Sequence, residues 1–218
     1  MRLAPSLWLG RLSRSIRRGA AALRKGTRYR PLLSHSRIVG YHPNADTPRS
    51  MRQPNQSFLS FPDFLSVTPF QTVNDDVMGG ISTSRVMHEG DALIFAGTLS
   101  LASGGGFASF RGPLPLPLPL PPETTVLSVH LRGDGQRYRI TLRTEPCENG
   151  LTYQAPFVTS GHWEWLSFSA SDFTARRRGR PVEHAPGLAF PQAKALGILI
   201  ADRQAGPFRL ALREVRAR

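Results

Sequence analysis

Short apolar segments separated by turn-forming residues make up the chain from residue 53 onward. Apolar and β-branched residues occur in short runs, and Gly, Pro, Asn and Asp stand between the runs, which is the pattern of strands joined by tight turns. About eleven strands are predicted: Phe70–Val73, Ile81–Met87, Ala92–Ala96, Thr98–Ala102, Phe107–Phe110, Val126–Leu131, Tyr138–Thr144, Leu151–Val158, Trp163–Phe168, Ala195–Ala201 and Phe208–Val215. No helical pattern of ten residues occurs there, and only Ser171–Phe173 suggests a single helical turn. So many short strands predict an all-β fold, a β-sandwich or jelly roll.

Residues 137–143 show how a predicted strand divides into two faces. Tyr, Ile and Leu occupy the even-numbered positions, whereas Arg, Arg, Thr and Arg occupy the odd-numbered ones. Because side chains alternate along a strand, one face is expected to be buried and the other solvated. Arg139 and Arg143 are therefore candidates to line a concave surface that could hold a carboxylate, a sugar or a partner loop. Ala195–Ala201 is apolar throughout, which predicts a central strand buried on both faces.

Three segments between the runs predict specific connections. Residues 88–91, His-Glu-Gly-Asp, predict a hairpin, and Asn149–Gly150 suits a tight turn that needs a positive φ. Pro113–Pro122 alternates Pro and Leu and predicts a loop of polyproline II character, because proline removes ladder donors and fixes φ. A stiff connector over a sheet edge is the simpler interpretation of this loop. Docking of a partner through Pro119–Pro122 is the alternative.

The net charge of +13 is concentrated at the start of the chain. Residues 1–52 carry 12 basic residues and one acidic residue, so this tail contributes +11. Residues 53–218 carry 16 basic and 14 acidic residues, which leaves +2 for the body. A basic chain favours nucleic acid as a partner, but affinity for phosphates grows with the number neutralised. The nearly neutral body therefore argues against nucleic-acid binding.

The tail, residues 1–52, has the composition of a mitochondrial transit peptide. It is rich in Arg and Ser, and its apolar residues from Leu9 to Leu23 recur at spacings of three and four. This interpretation predicts a mitochondrial protein of the matrix side. Two alternatives stay open: a disordered basic arm on a protein of the bacterial cytoplasm, or translation from Met51 with an over-extended reading frame before it. We divide the chain into this tail, disordered or helical, and a β-domain at 58–218.

Several classes of functional site are missing from the sequence. A single cysteine, Cys147, excludes thiolate zinc sites and an internal disulfide, and the scattered histidines have no metal-ligand spacing. No apolar run reaches the ~18 residues of a transmembrane helix. Asp75 and Asp76 point to opposite faces of an extended chain, which favours capping of the turn at Met78–Gly80 over acid–base catalysis. The sequence predicts no cofactor, no metal and no enzymatic activity.

Several sequence blocks, in order, resemble the complex I intermediate-associated protein 30 family over roughly residues 60–216. The blocks are Val73–Ser82, Phe95–Ser100, Gly105–Ser109, Leu131–Tyr138, Tyr153–Phe157, Trp163, Gly179–Pro181, Leu196–Asp202 and Gly206–Phe208. The resemblance implies a β-sandwich of the galactose-binding-like type, in agreement with the strand pattern. It also implies a non-enzymatic assembly factor, a chaperone that holds intermediates of respiratory complex I (NADH:ubiquinone oxidoreductase), or a bacterial homologue with a related protein-binding role.

The resemblance and the predicted strand faces together supply candidate binding residues. They are Asp75, Asp76, Met78, Arg132, Asp134, Tyr138, Arg139, Arg143, Gln154, Trp163 and Arg180. The expected partners are complex I intermediates or other protein clients. A glycan or small anionic ligand is an alternative, which predicts an open groove lined by Arg139, Arg143 and an exposed Trp. RNA binding, which photosynthetic relatives of the family suggest, needs basic residues gathered on one face. Trp163 and Trp165 share one side of their strand, where burial in the core is the simpler interpretation.

Overall fold

Two antiparallel β-sheets packed face to face make up the body of the chain in a computed structural model, which describes residues 55–144 and 150–218. The predicted all-β sandwich is confirmed. The strands are β1 (Gln56–Ser60), β2 (Gln71–Asn74), β3 (Thr83–Glu89), β4 (Ala92–Leu99), β5 (Ala108–Pro113), β6 (Val126–Arg132), β7 (Arg137–Arg143), β8 (Leu151–Val158), β9 (Glu164–Ser169), β10 (Thr174–Arg177), β11 (Arg180–Pro181), β12 (Ala195–Ile200) and β13 (Gly206–Ala217). The helical elements are α1 (Phe64–Val67) and the 3₁₀ turns Asp75–Met78, Ala102–Gly104, Ala170–Asp172 and Phe190–Gln192. The turn at Ala170–Asp172 corresponds to the helical turn predicted at Ser171–Phe173.

The two sheets differ in how their strands are ordered. Sheet A runs β3–β4–β13–β6–β9, and β1 also pairs with the end of β13. Sheet B runs β11–β10–β8–β7–β12–β5–β2. Strand β13, with 12 residues, pairs with β4 along its first half and with β1 and β6 along its second half. The last strand, β13, therefore lies in the interior of sheet A, between β4 and β6.

The core lies between the sheets and takes every second residue of the strands that border it. In β7, Tyr138, Ile140 and Leu142 are at most 1% exposed, which confirms the two faces predicted for residues 137–143. The ring of Phe95 from sheet A meets the ring of Phe110 from sheet B edge to face, with centroids 5.0 Å apart. Aromatic contact between the sheets thus joins strands that are distant in sequence.

Glycine within a strand produced one wrong prediction. The sequence pattern predicted separate strands at Ala92–Ala96 and Thr98–Ala102, but β4 is continuous from Ala92 to Leu99. Gly97 lies in the middle of β4 and pairs with Ser84 of β3. A Cβ there would lie 2.0 Å from the carbonyl oxygen of Thr83. Gly97 therefore permits close approach of a neighbouring strand and is not a turn residue.

The sequence pattern missed three strands, β1, β10 and β11, that lie at or next to a sheet edge. Among the described residues, strand β1 pairs only with β13, and the two-residue β11 pairs only with β10. Arg176 and Arg177 of β10 belong to a run of arginines that shows no alternation of apolar and polar residues. Backbone pairing with β8 holds them extended, and no apolar alternation is needed for that.

Strand β12 occupies the centre of sheet B between β7 and β5, as predicted for a central strand. Leu196, Ile198 and Ile200 belong to the core. On the opposite face Gly197 is buried and Leu199 is half-buried. Burial on both faces is therefore correct only in part, because the outer face of β12 lies at the bottom of a depression.

Parts of the predicted organisation fall outside the described residues. These are the tail at 1–52, with its alternatives, and Asn149 of the predicted Asn149–Gly150 turn. The hairpin at residues 88–91 is present, with Gly90 at φ 64° between β3 and β4. In the part of the chain that is described, no helix is long and apolar enough to cross a membrane.

The Pro-Leu segment, Pro113–Pro122, contributes leucines to the core. Leu114, Leu118 and Leu120 are at most 9% exposed and belong to the main core cluster, whereas Leu116 is 65% exposed. The backbone N–H of Leu114 donates to the carbonyl of Lys194, which ties the segment to the start of β12. The loop therefore inserts side chains between the sheets, which is more than the predicted covering of an edge.

Removing a buried leucine from this segment is expected to destabilise the domain. Leu118→Ala should lower the free energy of unfolding by about 2–4 kcal/mol, because it leaves a cavity in the core. Leu116→Ala, the matched control in the same repeat, should change it by less than about 0.5 kcal/mol. Urea denaturation measures both values. Equal effects of the two substitutions would show that the repeat does not plug the core.

Candidate functional site

A fully buried carboxylate, Asp75, joins two loops at one end of the sandwich. Its Oδ1 accepts a hydrogen bond from the backbone N–H of Ser82 at 3.0 Å, and its Oδ2 accepts one from the Ser82 hydroxyl at 2.6 Å. Oδ2 also accepts from the backbone N–H groups of Gly106 at 2.6 Å and Phe107 at 3.3 Å. The loop that follows β2 and the loop that precedes β5 are thus held by one side chain.

These hydrogen bonds determine the charge state of Asp75. Burial by itself raises the pKa of a carboxyl group, but the donors from Ser82, Gly106 and Phe107 outweigh it here and hold the pKa of Asp75 below its ordinary value of 3.8. The carboxylate is therefore ionised at neutral pH. Its role is structural, as the sequence indicated, although it binds other backbone amides than those of the predicted Met78–Gly80 turn.

Two glycines make room for this carboxylate. A Cβ at Gly80 would lie 2.3 Å from the carboxyl carbon of Asp75, and a Cβ at Gly105 would lie 2.6 Å from its Oδ2. Any other residue at either position would push the loop away from the donors. One glycine in each of the two glycine-rich blocks is therefore explained by close packing around this charge, whereas Gly79, Gly104 and Gly106 adopt a positive φ.

An apolar end patch, defined by Val77, Met78, Ile81 and Leu101, is displayed by the loops that Asp75 joins. The first three side chains are 61–74% exposed and Leu101 is 39% exposed. The backbone N–H of Ser100 donates to the hydroxyl of Ser82 at 3.0 Å, so the chain neighbours Ile81 and Leu101 are held close together. Exposed apolar side chains grouped in this way are typical of surfaces that bind another protein.

The block around Asp134 forms a second fixed turn. Asp134 Oδ1 accepts a hydrogen bond from the hydroxyl of Tyr138 at 2.9 Å, and Oδ2 accepts one from the backbone N–H of Arg209 at 2.7 Å. Tyr138 is 1% exposed, and burial together with the charge of Asp134 raises the pKa of its phenol. Arg132 lies on the other side of the turn and does not pair with Asp134. These residues connect β6, β7 and β13, and neither Asp134 nor Tyr138 is free to hold a ligand.

The outer face of sheet B contains an open depression, which we call the sheet B groove. Its volume is about 190 Å³. The lining residues are Val73, Phe107, Ser109, Phe110, Arg111, Thr141, Arg143, Thr152, Gln154 and Leu199. Gly197 of β12 pairs with Arg111 on one side and Thr141 on the other, so a residue without a side chain lies in the middle of this row. No carboxylate is among these lining residues.

Gln154 contributes an unsatisfied polar atom to the groove. The residue is 8% exposed, and its Oε1 is buried without a hydrogen-bond partner among the described residues. Its Nε2 donates to the hydroxyl of Thr152 at 3.2 Å. A buried amide oxygen that lacks a donor destabilises the fold, so a site that retains one is a candidate for binding.

Arg139 and Arg143 of β7 differ in their partners. The guanidinium of Arg139 pairs with Asp202, and Arg139 is not part of the groove lining. Arg143 lines the groove and pairs with no carboxylate in residues 55–144 and 150–218. The prediction that both arginines line one groove is therefore wrong for Arg139, because Asp202 of the loop after β12 holds its side chain.

The tryptophans lie on the other sheet, on the outer face of sheet A. The rings of His130 and Trp165 stack with centroids 4.7 Å apart, and the guanidinium carbon of Arg216 lies 4.5 Å from the Trp165 centroid. Arg213 covers the ring of Trp163 at 4.0 Å. Cation–π contacts of this kind are worth about 0.5–2 kcal/mol each. The prediction that a tryptophan lines the groove with the arginines is wrong.

The charged groups on this aromatic face are paired with one another. Arg216 binds Glu214 through two hydrogen bonds of 2.8 and 2.9 Å, and Arg213 pairs with Asp91 at 2.9 Å. Burial lowers the pKa of His130, and the nearby guanidinium groups lower it further.

Trp165 itself is 40% exposed. The expectation of burial in the core is therefore wrong for it. Trp163 packs on the small outer cluster of Ala92, Ile94 and Ala211, not on the main core.

The remaining sequence-derived candidates lie at separate places. Asp76 is exposed, and its backbone carbonyl accepts from Gly79. Arg132 places its guanidinium 5.2 Å from the centroid of Trp163. Arg180 is exposed in β11 at the edge of sheet B. Among the described residues no three His, Cys, Asp or Glu side chains are placed to hold a metal ion.

Only two of the candidates, Arg143 and Gln154, come together in the groove. Arg111 and Thr141 belong with them and were missed. Thr141 was visible on the polar face of its strand, but nothing in the sequence shows that β12 separates β5 from β7. Residues on neighbouring strands can be identified only when the order of strands in the sheet is known. Arg111 could therefore not be predicted as a groove residue from the sequence.

Comparison with protein families and curated proteins confirms the resemblance found in the sequence. Residues 59–212 match the family model described as Complex I intermediate-associated protein 30. The uncharacterized protein C9E9.15 of Schizosaccharomyces pombe is 27% identical over 168 residues, which cover 68% of this chain and 77% of that protein.

Solved structures of similar fold are carbohydrate-binding modules of Clostridium thermocellum. A family 11 module in complex with a β-1,3-1,4-mixed-linked tetrasaccharide has a TM-score of 0.54 and 12% identity, covering 73% of this chain and 94% of the module. The family 11 module of the cellulosomal cellulase Lic26A-Cel5E has a TM-score of 0.55 and 12% identity, covering 74% and 93%. At this identity the similarity concerns the β-sandwich fold alone.

Neutralising the buried carboxylate is expected to destabilise the domain in a pH-dependent way. Asp75→Asn should cost about 2–4 kcal/mol at neutral pH, because an amide cannot accept from all the donors that surround Asp75. Because the pKa of Asp75 is lower in the folded than in the unfolded state, the ionised carboxylate stabilises the fold at pH values above its unfolded-state pKa near 3.8. This stabilisation is lost as the pH falls through the folded-state pKa.

The stability difference between Asp75→Asn and the unmodified protein should therefore narrow below about pH 3.8. Chemical denaturation at several pH values measures it. Asp76→Asn, next to it and exposed, is the control and should change stability by less than about 0.5 kcal/mol. A difference independent of pH would contradict the assignment.

Gln154→Met should leave the domain as stable as before or up to about 2 kcal/mol more stable. The substitution loses the bond to Thr152, worth about 0.5–1.5 kcal/mol, and removes an unpaired buried oxygen that costs about 1–3 kcal/mol. The control is Gln204→Met, since Gln204 is satisfied by three hydrogen bonds to the backbone of Arg137 and Ala201. That variant should be destabilised by about 1–3 kcal/mol. If thermal denaturation shows Gln154→Met to be less stable than Gln204→Met, the conclusion that Gln154 Oε1 lacks a hydrogen-bond partner would be wrong.

Proposed function

We propose, since this chain belongs to the complex I intermediate-associated protein 30 family, that it binds assembly intermediates of respiratory complex I and holds them until further subunits join. Its action is binding, without a catalytic step. The client is expected to present an apolar surface that a later subunit covers in the finished complex. Such a surface is a liability while it is exposed to water.

The observation that carries this proposal is the apolar end patch. Val77, Met78, Ile81 and Leu101 keep their side chains in solvent while the main core takes up the apolar side chains of most strands. Solvent exposure of these four side chains gives no stability to the isolated domain. Burial against a client would contribute roughly 25 cal/mol for each Å² of apolar surface removed from water.

The loops that display the patch are ordered before any client arrives. Asp75 fixes both of them through four hydrogen bonds, and Gly80 and Gly105 pack directly on its carboxylate. Ordering a loop on binding costs affinity, so a loop that is already ordered binds more tightly for the same contacts. The buried charge therefore supports client binding without touching the client.

A complementation experiment in cells that lack the gene tests the role and the patch separately. The double variant Met78→Ser/Ile81→Ser removes apolar surface from the patch. The control, Phe64→Ser/Leu65→Ser, removes side chains of similar exposure, 66% and 73%, from α1. Complex I and its intermediates are resolved on native gels, and intermediates that co-purify with the tagged full chain are measured.

We expect cells without the gene to accumulate intermediates and to lose mature complex I. The control variant should restore complex I, whereas the patch variant should fold normally, restore less than a tenth of it and retain no intermediate on purification. Normal complex I in the deleted cells would refute the assembly role. If the deleted cells lose complex I and the patch variant restores it as well as the control variant does, the assembly role would stand, but the end patch would not be the client-binding surface.

A further inference from the structure

We propose that the sheet B groove binds a small sugar acid, a ligand that carries a carboxylate and neighbouring hydroxyl groups on one ring. Arg111 and Arg143 would receive the carboxylate, and Gln154 would bond a hydroxyl. This ligand site goes beyond the client-binding role and does not depend on it. The site rests on residues of four adjacent strands, β5, β12, β7 and β8.

The unpaired amide of Gln154 indicates a hydroxyl on the ligand. Oε1 is buried and accepts no hydrogen bond from any described residue, so the protein leaves an acceptor open inside the groove. If the amide were turned over, the open atom would be the Nε2 donor. A hydroxyl both donates and accepts, and it satisfies the amide in either orientation.

The two arginines indicate an anionic group beside that hydroxyl. Arg111 and Arg143 line the groove, and neither has a carboxylate partner among residues 55–144 and 150–218. The other lining residues are hydroxyl, amide or apolar, so no negative charge in the lining competes for these guanidinium groups. A guanidinium binds a carboxylate through two parallel hydrogen bonds, a geometry that selects planar oxyanions.

The row of residues across the sheet places these groups around one space. Arg111, Gly197, Thr141 and Gln154 lie side by side on β5, β12, β7 and β8. Strands are spaced about 4.8 Å apart, so Arg111 and Gln154 are separated by roughly 14 Å across the sheet. Gly197, which lies between them, adds no side chain to the groove: a Cβ there would lie 2.2 Å from the carbonyl oxygen of Phe110 and 2.9 Å from the hydroxyl oxygen of Thr141. The hydroxyl of Thr141 bonds no described residue.

The size and position of the groove favour a single ring over a polymer. A volume of about 190 Å³ is below the ~300–1,000 Å³ typical of sites for drug-sized ligands. An extended peptide needs free backbone groups along a sheet edge. The four strands under the groove are paired on both sides and offer side chains only. The groove therefore suits a small molecule whose polar groups point into the sheet.

Isothermal titration calorimetry on the full 218-residue chain tests the proposal with defined probes. Glucuronate carries the carboxylate and the hydroxyls, glucose has the hydroxyls without the carboxylate, and acetate has a carboxylate alone. Inorganic phosphate and a glutamate-rich peptide complete the set. We expect saturable binding of glucuronate that is at least tenfold tighter than binding of each of the other four probes.

Three variants assign that binding to the groove. Arg143→Ala and Gln154→Met should each weaken glucuronate binding at least tenfold. Arg137→Ala, on the same face of the same strand but outside the lining, is the matched control and should bind as the unmodified protein does. Gln154→Met is expected to keep the melting temperature of the domain, so its loss of binding would not reflect unfolding.

The remaining outcomes overturn the proposal. Absence of saturable glucuronate binding, or equal weakening by Arg137→Ala and Arg143→Ala, would show that the groove is not the site. If phosphate or acetate binds as tightly as glucuronate, Gln154 does not contribute to binding through a ligand hydroxyl. Preference for the glutamate-rich peptide would identify the groove as part of a protein interface.

Discussion

The buried charge of Asp75 is the constraint on which one whole end of the sandwich depends. An ionised carboxylate without partners in a protein interior is too costly to retain, so the chain must supply donors around it. Ser82 supplies two, and Gly106 and Phe107 supply their backbone N–H groups from a loop about thirty residues away. The charge can only be satisfied when both loops are in place. Hydrogen bonds between Ser82 and Ser100 are a second link between the same two loops.

That requirement links the core to the candidate client surface. The glycines next to the carboxylate cannot be replaced without displacing the donors, and the loop that contains Gly80 carries Val77, Met78 and Ile81 outward. A loop held by apolar contacts would bury these side chains for its own stability. Because polar contacts hold this one, its apolar side chains stay available to a partner. The same carboxylate thus explains Gly80, Gly105 and the exposed hydrophobic residues of the loops that contain them.

The fold could be predicted from alternation, since residues 137–143 and Leu151–Val158 bury every second side chain or nearly so. The errors arose where tertiary contacts override local pattern. Gly97 allows β3 to approach closely and does not end a strand, and β1 exists only because β13, which is far away in sequence, pairs with it.

The candidate sites were harder to predict because they depend on the order of strands and on pairing between distant residues. Arg139 and Arg143 are equivalent in sequence, on one face of one strand. They differ because a loop after β12 brings Asp202 to Arg139 alone. Gln154 could be placed on a strand, but its open hydrogen-bonding atom is a property of the assembled face. A local sequence pattern cannot show that a buried polar side chain lacks a hydrogen-bond partner in the folded protein.

The distribution of carboxylates decides which arginines are available to a ligand. Residues 53–218 have nearly equal numbers of basic and acidic residues. On sheet A, Asp91, Glu89 and Glu214 each take one guanidinium group, and the arginines that they hold lie over tryptophan rings or along β13. Exposed pairs of this kind add little stability, but they neutralise that face. No acidic residue is among the described residues that line the sheet B groove, so Arg111 and Arg143 have no carboxylate partner within residues 55–144 and 150–218. A nearly neutral body can therefore present one local positive site, and the net charge of the chain gives no indication of it.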